Sequence, residues 1–286
     1  MTMDSPRAVR ELLARYGLRA IKSRGQHFLA DPRVPGAIVE GADLTRTHGV
    51  LEIGPGLGAL TRALSRAAGR VVAVEADRLL LPVLDETLRG LDNVTVLHGD
   101  ILKTDLHALV REHFNGLMPV VCANLPYNIT TPVLICLLDA GLFETITVMV
   151  QREVARRLRA EAGTPEYGAF TVFVGARASC KILFDVPPSC FIPAPRVTSS
   201  VVKLTRDAFP LYNPELFSRV VRAAFGQRRK TLPNALAGLF NLSKAELAAI
   251  LRSQGLSPLT RGETLDIAAF DQLTVALEAQ ANFYEM

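Results

Sequence analysis

Leu51-Glu52-Ile53-Gly54-Pro55-Gly56-Leu57-Gly58 reads as a buried strand that breaks into a glycine turn and opens a helix near Ala59. Three glycines remove the Cβ atoms that block close approach or forbid positive φ, so a nucleotide can come against bare backbone. The helix that follows offers unpaired N–H groups to a polar ligand. The spacing is G-x-G-x-G, not the G-x-G-x-x-G of the dinucleotide fingerprint, and many strand-to-helix turns carry glycine for structural reasons alone. Taken alone, the turn leaves the binding reading and the structural one level.

The residues downstream favour binding. Val71-Val72-Ala73-Val74 is a second apolar run. It ends on Glu75, about 20 residues past the turn, where a carboxylate can accept from both ribose hydroxyls of a nucleotide. A third run, Val94-Thr95-Val96-Leu97, leads to His98-Gly99-Asp100, and a fourth, Pro119-Val120-Val121-Cys122-Ala123, delivers Asn124-Leu125-Pro126-Tyr127. Each strand thus sets a polar residue at its carboxyl end, which is where open α/β sheets bind ligands.

The chain of 286 residues is long enough for one large domain and a smaller one, and its 49% hydrophobic and 21% charged residues are those of a globular protein. Its longest stretch without Asp, Glu, Lys or Arg, His113 to Leu138, is broken by Asn124, Asn128, Thr130 and three prolines, so it does not read as a membrane span. Arg7, Arg10 and Arg15 are followed by no apolar segment of the signal-peptide kind, and a cytoplasmic protein is expected. Cys122, Cys136, Cys180 and Cys190 form no C-x-x-C pair and the five histidines no metal-ligand spacing, so buried free thiols and no metal site are expected.

Net charge is only +4, but it is unevenly placed. Arg219, Arg222, Arg228, Arg229 and Lys230 lie in a stretch without an acidic residue, and Arg7, Arg10, Arg15, Arg19, Lys22 and Arg24 are opposed by Glu11 alone. Such runs are commonly solvated helix faces. Two of them flanking a nucleotide-type fold point to RNA or DNA as partner.

From Gly49 to about Val150 strands and helices alternate as in βαβ units, which implies an α/β fold with a parallel sheet covered by helices on both faces. Ser5 to Tyr16 reads as a helix, and Gly25-Gln26-His27-Phe28-Leu29 as a break before another helix entered through Asp31-Pro32. Ile146 to Val150 is a further strand, leading into a charged helix from Arg152 to Glu161. Ala169–Ala176 and Cys180–Val186 are read as closing strands and Ser199–Leu204 as the last. Beyond Arg206 short amphipathic helices take over, one of them capped by Asn241-Leu242-Ser243, so residues 1–205 and 206–286 are expected to form an α/β domain and a smaller all-helical one.

Asn124-Leu125-Pro126-Tyr127 is the sharpest chemical signal. The Asn124 side-chain carbonyl and the Leu125 main-chain carbonyl can each accept an N–H of an exocyclic amine, directing its lone pair at an electrophile while Tyr127 stacks on the base. An aromatic amine attacking a sulfonium methyl needs no strong base, so positioning carries the rate. Val186 to Pro195 packs four prolines into a stiff loop around Phe191, which either covers the other face of that base or plugs the loop onto the core.

Gly25-Gln26-His27-Phe28-Leu29, the glycine turn through Thr61, Asn124-Leu125-Pro126-Tyr127-Asn128 and Phe191-x-Pro193-x-Pro195-x-Val197 together resemble the ordered motifs of the KsgA/Erm rRNA adenine N6-dimethyltransferases. The similarity runs over essentially the whole chain. Asn124 through Pro132 and Phe225-Gly226-Gln227-Arg228-Arg229-Lys230-Thr231-Leu232 place it nearest the KsgA branch. The resemblance implies a Rossmann-like class I methyltransferase sheet and S-adenosylmethionine as methyl donor. It implies two adjacent adenines near the 3′ end of small-subunit rRNA as substrate, within an immature small ribosomal subunit; a monomer is expected, though no residue pattern fixes the oligomeric state. By position, His27 and Leu29 would line the methionine end, Gly54 and Gly56 the turn under the cofactor, Glu75 its ribose and Asp100 its adenine amino group. Asn124 would touch cofactor and target amine, Tyr127 and Phe191 would sandwich the flipped adenine, and Arg222, Arg228, Arg229 and Lys230 would hold RNA. His27 stands where many relatives have Asn.

Three other readings compete with this one. An Erm-like enzyme would do the same chemistry on large-subunit RNA. An NAD-dependent dehydrogenase would use Gly54 to Gly58 and Glu75 but leave the Asn124 turn unexplained. A ribosome-assembly factor with a vestigial site would not need the intact residues at every matched position.

Overall fold

The computed structural model describes residues 5–18, 26–240 and 242–284, so Arg19, Lys22, Arg24, Gly25 and Asn241 lie outside the described residues. Contacts divide the chain into two compact units, Met1–Ala155 with Ser179–Arg206 and Arg156–Ala178 with Asp207–Met286.

In the first unit, helices α1 (Pro6–Arg15), α2 (Arg33–Gly41), α3 (Ala59–Ala67), α4 (Leu81–Thr87), α5 (Leu106–His113) and α6 (Thr130–Ala140) alternate with strands. The strands are β1 (Phe28–Leu29), β2 (His48–Ile53), β3 (Arg70–Glu75), β4 (Val94–His98), β5 (Met118–Asn124) and β6 (Thr145–Gln151), followed by β7 (Ala178–Val186), β8 (Phe191–Ile192) and β9 (Ser199–Arg206). Seven of them form one sheet in the order β4-β3-β2-β5-β6-β9-β7. The pairs β2/β3, β2/β5, β3/β4 and β5/β6 are parallel and β6/β9 is antiparallel. Consecutive residues of the central strands, Val50 and Leu51, Val71 and Val72, Val120 and Val121, are all at most 1% exposed. Burial of both faces is the reason these strands read as continuous apolar runs. On one face Val50, Val71 and Val120 pack against Val34 and Ile38 of α2 and Leu60 and Leu64 of α3.

The sheet winds outward in both directions from β2 and β5. The crevice beyond the carboxyl ends of those two strands is therefore a topological switch point, where such sheets take ligands. The glycine turn and the Asn124 turn are the two segments that leave it. Beside it, β1 and β8 form a separate antiparallel pair with Leu29 opposite Phe191.

The division between the units falls within α7 (Arg152–Leu158). The second unit holds α8 (Ala169–Gly175), α9 (Pro214–Gly226), α10 (Leu232–Leu236), α11 (Lys244–Ser253) and α12 (Ile267–Tyr284) around Phe217, Leu251, Phe270 and Leu273. Asn213 caps α9 by accepting from Leu216 N–H, and Ser243 caps α11 in a reciprocal pair with Glu246.

Two expectations are corrected here. Ala169–Ala176 is a helix over Ala169–Gly175, not a strand. Ala-Phe-Thr-Val-Phe-Val is short, apolar and buried all round, and such a run has no periodicity that separates helix from strand. Thr171 settles it locally: its hydroxyl accepts from Gly168 N–H and donates to the Arg157 carbonyl. Nor does one break at 205/206 divide the chain, because Arg156–Ala178 packs with the C-terminal helices. Tyr167, Val172 and Phe173 join their core, and the Tyr167 hydroxyl donates to the Leu265 carbonyl at 2.8 Å.

Candidate active site

The switch point opens into a cavity of about 420 Å³ whose wall includes His27, Leu29, Gly54, Gly56, Glu75, Asp100, Asn124 and Tyr127. Eight residues singled out from sequence, spread over a hundred positions, thus meet around one space. Glu52 and Asp77 join them, and the lining contains no Lys or Arg. Four carboxyl groups without a cation suit a ligand that brings positive charge and oppose a pyrophosphate.

Gly54, Gly56 and Gly58 all have positive φ, at 67°, 61° and 85°. The turn therefore needs glycine for conformation, and at Gly58 for space also, since a Cβ there would lie 2.9 Å from Leu88 Cδ2. Gly56 N–H donates to Glu75 Oε2 and Asp77 N–H to Glu75 Oε1. Each carboxylate oxygen has a second lone-pair site, so Glu75 is oriented by backbone and still able to accept two hydroxyls. Burial raises its pKa, with those backbone hydrogen bonds pulling the other way. Asp100, exposed at the rim, accepts from Leu102 N–H.

The Asn124 turn is held from three sides. Asn124 Nδ2 donates to the His27 carbonyl oxygen at 3.3 Å. A carbonyl only accepts, so the amide nitrogen must face it and Oδ1 is left to accept from a ligand. The Pro126 carbonyl accepts from Ile129 N–H and from the Thr130 hydroxyl, which closes the turn into α6. The Tyr127 hydroxyl is 2.6 Å from Ser199 Oγ of β9, and its ring stacks on His27 with centroids 5.4 Å apart.

Phe191 does not join this set. It is 3% exposed, packs in the core with Val34 and Ile38, and is not part of the cavity wall. Its position here is that of the plug that a phenylalanine among prolines can equally be.

Glu52 is the residue that sequence reasoning passed over. It is 1% exposed, Oε2 has no hydrogen-bond partner among the described residues, and its carboxyl is pushed up to about 8. Burial is the main cause; the Thr61 hydroxyl opposes it and the Glu75 charge adds to it. The signal was present, one acid inside the otherwise apolar strand Val50-Leu51-Glu52-Ile53.

In the second unit Arg219, Arg222, Arg228, Arg229 and Lys230 are all exposed. The Arg222 guanidinium lies 5.6 Å over the Phe173 ring, and Arg228 donates to the Pro165 carbonyl and sits 3.7 Å from Glu263. None of the four cysteines is in a disulfide; Cys122 and Cys190 are buried, Cys136 and Cys180 partly so. Among the described residues no helix is long and apolar enough to cross a membrane.

Comparison with known proteins identifies the family. The ribosomal RNA small subunit methyltransferase A of Geobacillus thermodenitrificans is 44% identical over 283 residues, covering 96% of each chain. The protein of the same name from Lactiplantibacillus plantarum is 45% identical over 287 residues, covering 97% of this chain and 96% of the relative. Among solved structures, a dimethyladenosine transferase from Plasmodium falciparum superposes with a TM-score of 0.75 at 25% identity, covering 89% of this chain and 98% of the other. The 23S rRNA methyltransferase ErmE does so at 0.63 and 26%, covering 88% and 99%. The family model for ribosomal RNA adenine dimethylase matches residues 17–272, and with near full-length relatives above 40% identity the chain belongs to the ribosomal RNA adenine dimethylase family.

Proposed function

We propose that this protein uses S-adenosylmethionine to convert two adjacent adenines near the 3′ end of small-subunit rRNA to N6,N6-dimethyladenine, acting as a cytoplasmic monomer on an immature small subunit. When bound, the cofactor supplies a methyl group on a positively charged sulfur. The cavity fits such a group: it offers carboxyl groups and no cation, glycine backbone, and a Glu75 with acceptor sites to spare. The observation that carries the reading is the locked Asn124 amide. Oδ1 of Asn124 and the Leu125 carbonyl accept the two N–H groups of the target amine, and Tyr127, braced by Ser199, stacks on the base. Arg222, Arg228, Arg229 and Lys230 hold RNA phosphates from the second unit. The choice of small-subunit RNA over an Erm-like target rests on the names and identities of the relatives.

Asn124→Ala tests the assignment. Transfer is expected to fall roughly a hundredfold or more through lost positioning, with melting temperature little changed. Activity within a few-fold of wild type would refute the role of Asn124.

A further inference from the structure

Tyr127 supplies the flat surface of the proposed site, yet it stands on a turn, and a turn holds a ring less firmly than a strand does. What fixes the ring comes from elsewhere in the fold. The Tyr127 hydroxyl is 2.6 Å from Ser199 Oγ, 72 positions away in sequence. Ser199 opens β9, which lies between β6 and β7 in the sheet. There it pairs opposite Gln151, and the carbonyl of the preceding Thr198 accepts from Arg152 N–H. A side chain anchored in the sheet thus reaches into the turn that carries the aromatic ring.

The direction of this hydrogen bond follows from burial. Ser199 is 0% exposed, and its hydroxyl has no other partner among the described residues. If it only accepted, its own proton would be stranded in a dry interior, so Ser199 donates and the Tyr127 oxygen accepts. The next residue, Ser200, points to the other face of the strand and donates to Asp185 Oδ1. One face of the Tyr127 ring is covered by His27, with the planes 29° apart. With the hydroxyl pinned and that face covered, the opposite face is the one left for a base.

We propose that Ser199 is a positioning residue for methyl transfer: by donating to the Tyr127 hydroxyl it fixes the plane on which the target adenine stacks, and with it the aim of the amine held at Asn124. The inference rests on the methyl-transfer reading. Ser199 is not part of the cavity wall, so its effect passes through this one bond.

The test is a cycle of wild type, Ser199→Ala, Tyr127→Phe and the double variant, since Phe keeps the ring and removes only the bond. With small ribosomal subunits as substrate, kcat is expected to fall about tenfold in each single variant through lost positioning. In the double variant the loss stays about tenfold rather than about a hundredfold, because both changes delete the same interaction. The affinity of Ser199→Ala for S-adenosylmethionine, measured by calorimetry, stays near wild type. Melting temperature reads the bond without recourse to activity: Tyr127→Phe strands the serine proton and lowers it, and adding Ser199→Ala restores most of the loss. A Ser199→Ala protein with the wild-type kcat, a double variant whose loss is the product of the two singles, or no recovery of melting temperature would overturn the proposal. Should Ser199→Ala fail to fold, Tyr127→Phe alone decides, and a kcat within about twofold of wild type would overturn it. Wild-type protein that binds the cofactor yet methylates no RNA would instead refute the function on which it rests, with the melting-temperature cycle unaffected.

Discussion

The cavity of the first unit and the α9–α10 turn of the second contrast in charge: acidic side chains, of which Glu52 is held protonated, with no Lys or Arg in one, and three consecutive cationic residues, Arg228, Arg229 and Lys230, in the other. A cationic small molecule and a polyanion cannot be held well by the same surface, and under the proposed function the two tasks fall to different surfaces. Cofactor binding then depends on burial and directed hydrogen bonds, which salt screens little, and RNA binding on exposed charge, which salt screens strongly.

The harshest way to break that comparison is to remove what supports the cavity wall. His27 and Leu29 are carried by the β1 segment, and Leu29 pairs opposite Phe191, whose ring is buried beneath. Phe191→Ala should cost about 3–5 kcal/mol of stability in thermal or denaturant unfolding. Phe191→Leu, nearly volume-conserving, should cost less than about 1.5 kcal/mol and keep activity. A stable Phe191→Leu protein without activity would restore the stacking role.

A smaller effect sharpens the other side. Replacing Arg228, Arg229 and Lys230 together by Ala should weaken RNA binding roughly tenfold or more and lower the log–log salt slope by about 2. Cofactor affinity should not move, and a parallel loss of it would show that the two charge fields are coupled.

The gentlest test is pH. The folded state holds Glu52 protonated between its ordinary value of 4.5 and about 8, where the unfolded chain is ionised. The folded pKa is the raised one, so this contribution to stability is full below about 4.5 and lost as pH climbs through about 8. Glu52→Gln should remove that loss. In wild type a cationic ligand must also expel the proton, so affinity for S-adenosylmethionine should rise from pH 6 towards 8. In the Gln variant it should stay flat, and a wild type already flat would mean that Glu52 does not face the ligand's charge.

Much of the first unit was legible because its central strands are buried on both faces and end on polar or turn residues: β2 on Ile53 before Gly54, β3 on Glu75, β5 on Asn124. The candidate site was legible for the same reason, since strand ends in such a sheet converge. Glu52 escaped notice because its role depends on enclosure, and a pattern of residue types carries no measure of enclosure. Ala169–Gly175 reads as a strand in sequence because so short and mostly apolar a run does not reveal a period. Its segment's membership of the second unit depends on contacts such as Tyr167 with Leu265, which lie far apart in sequence.

The most direct test is transfer of labelled methyl groups from S-adenosylmethionine to purified unmethylated small ribosomal subunits, with large-subunit RNA alongside and the modified nucleosides identified. Dimethyladenine in small-subunit RNA alone is the expected result. Transfer only to large-subunit RNA, or none despite cofactor binding, would contradict it.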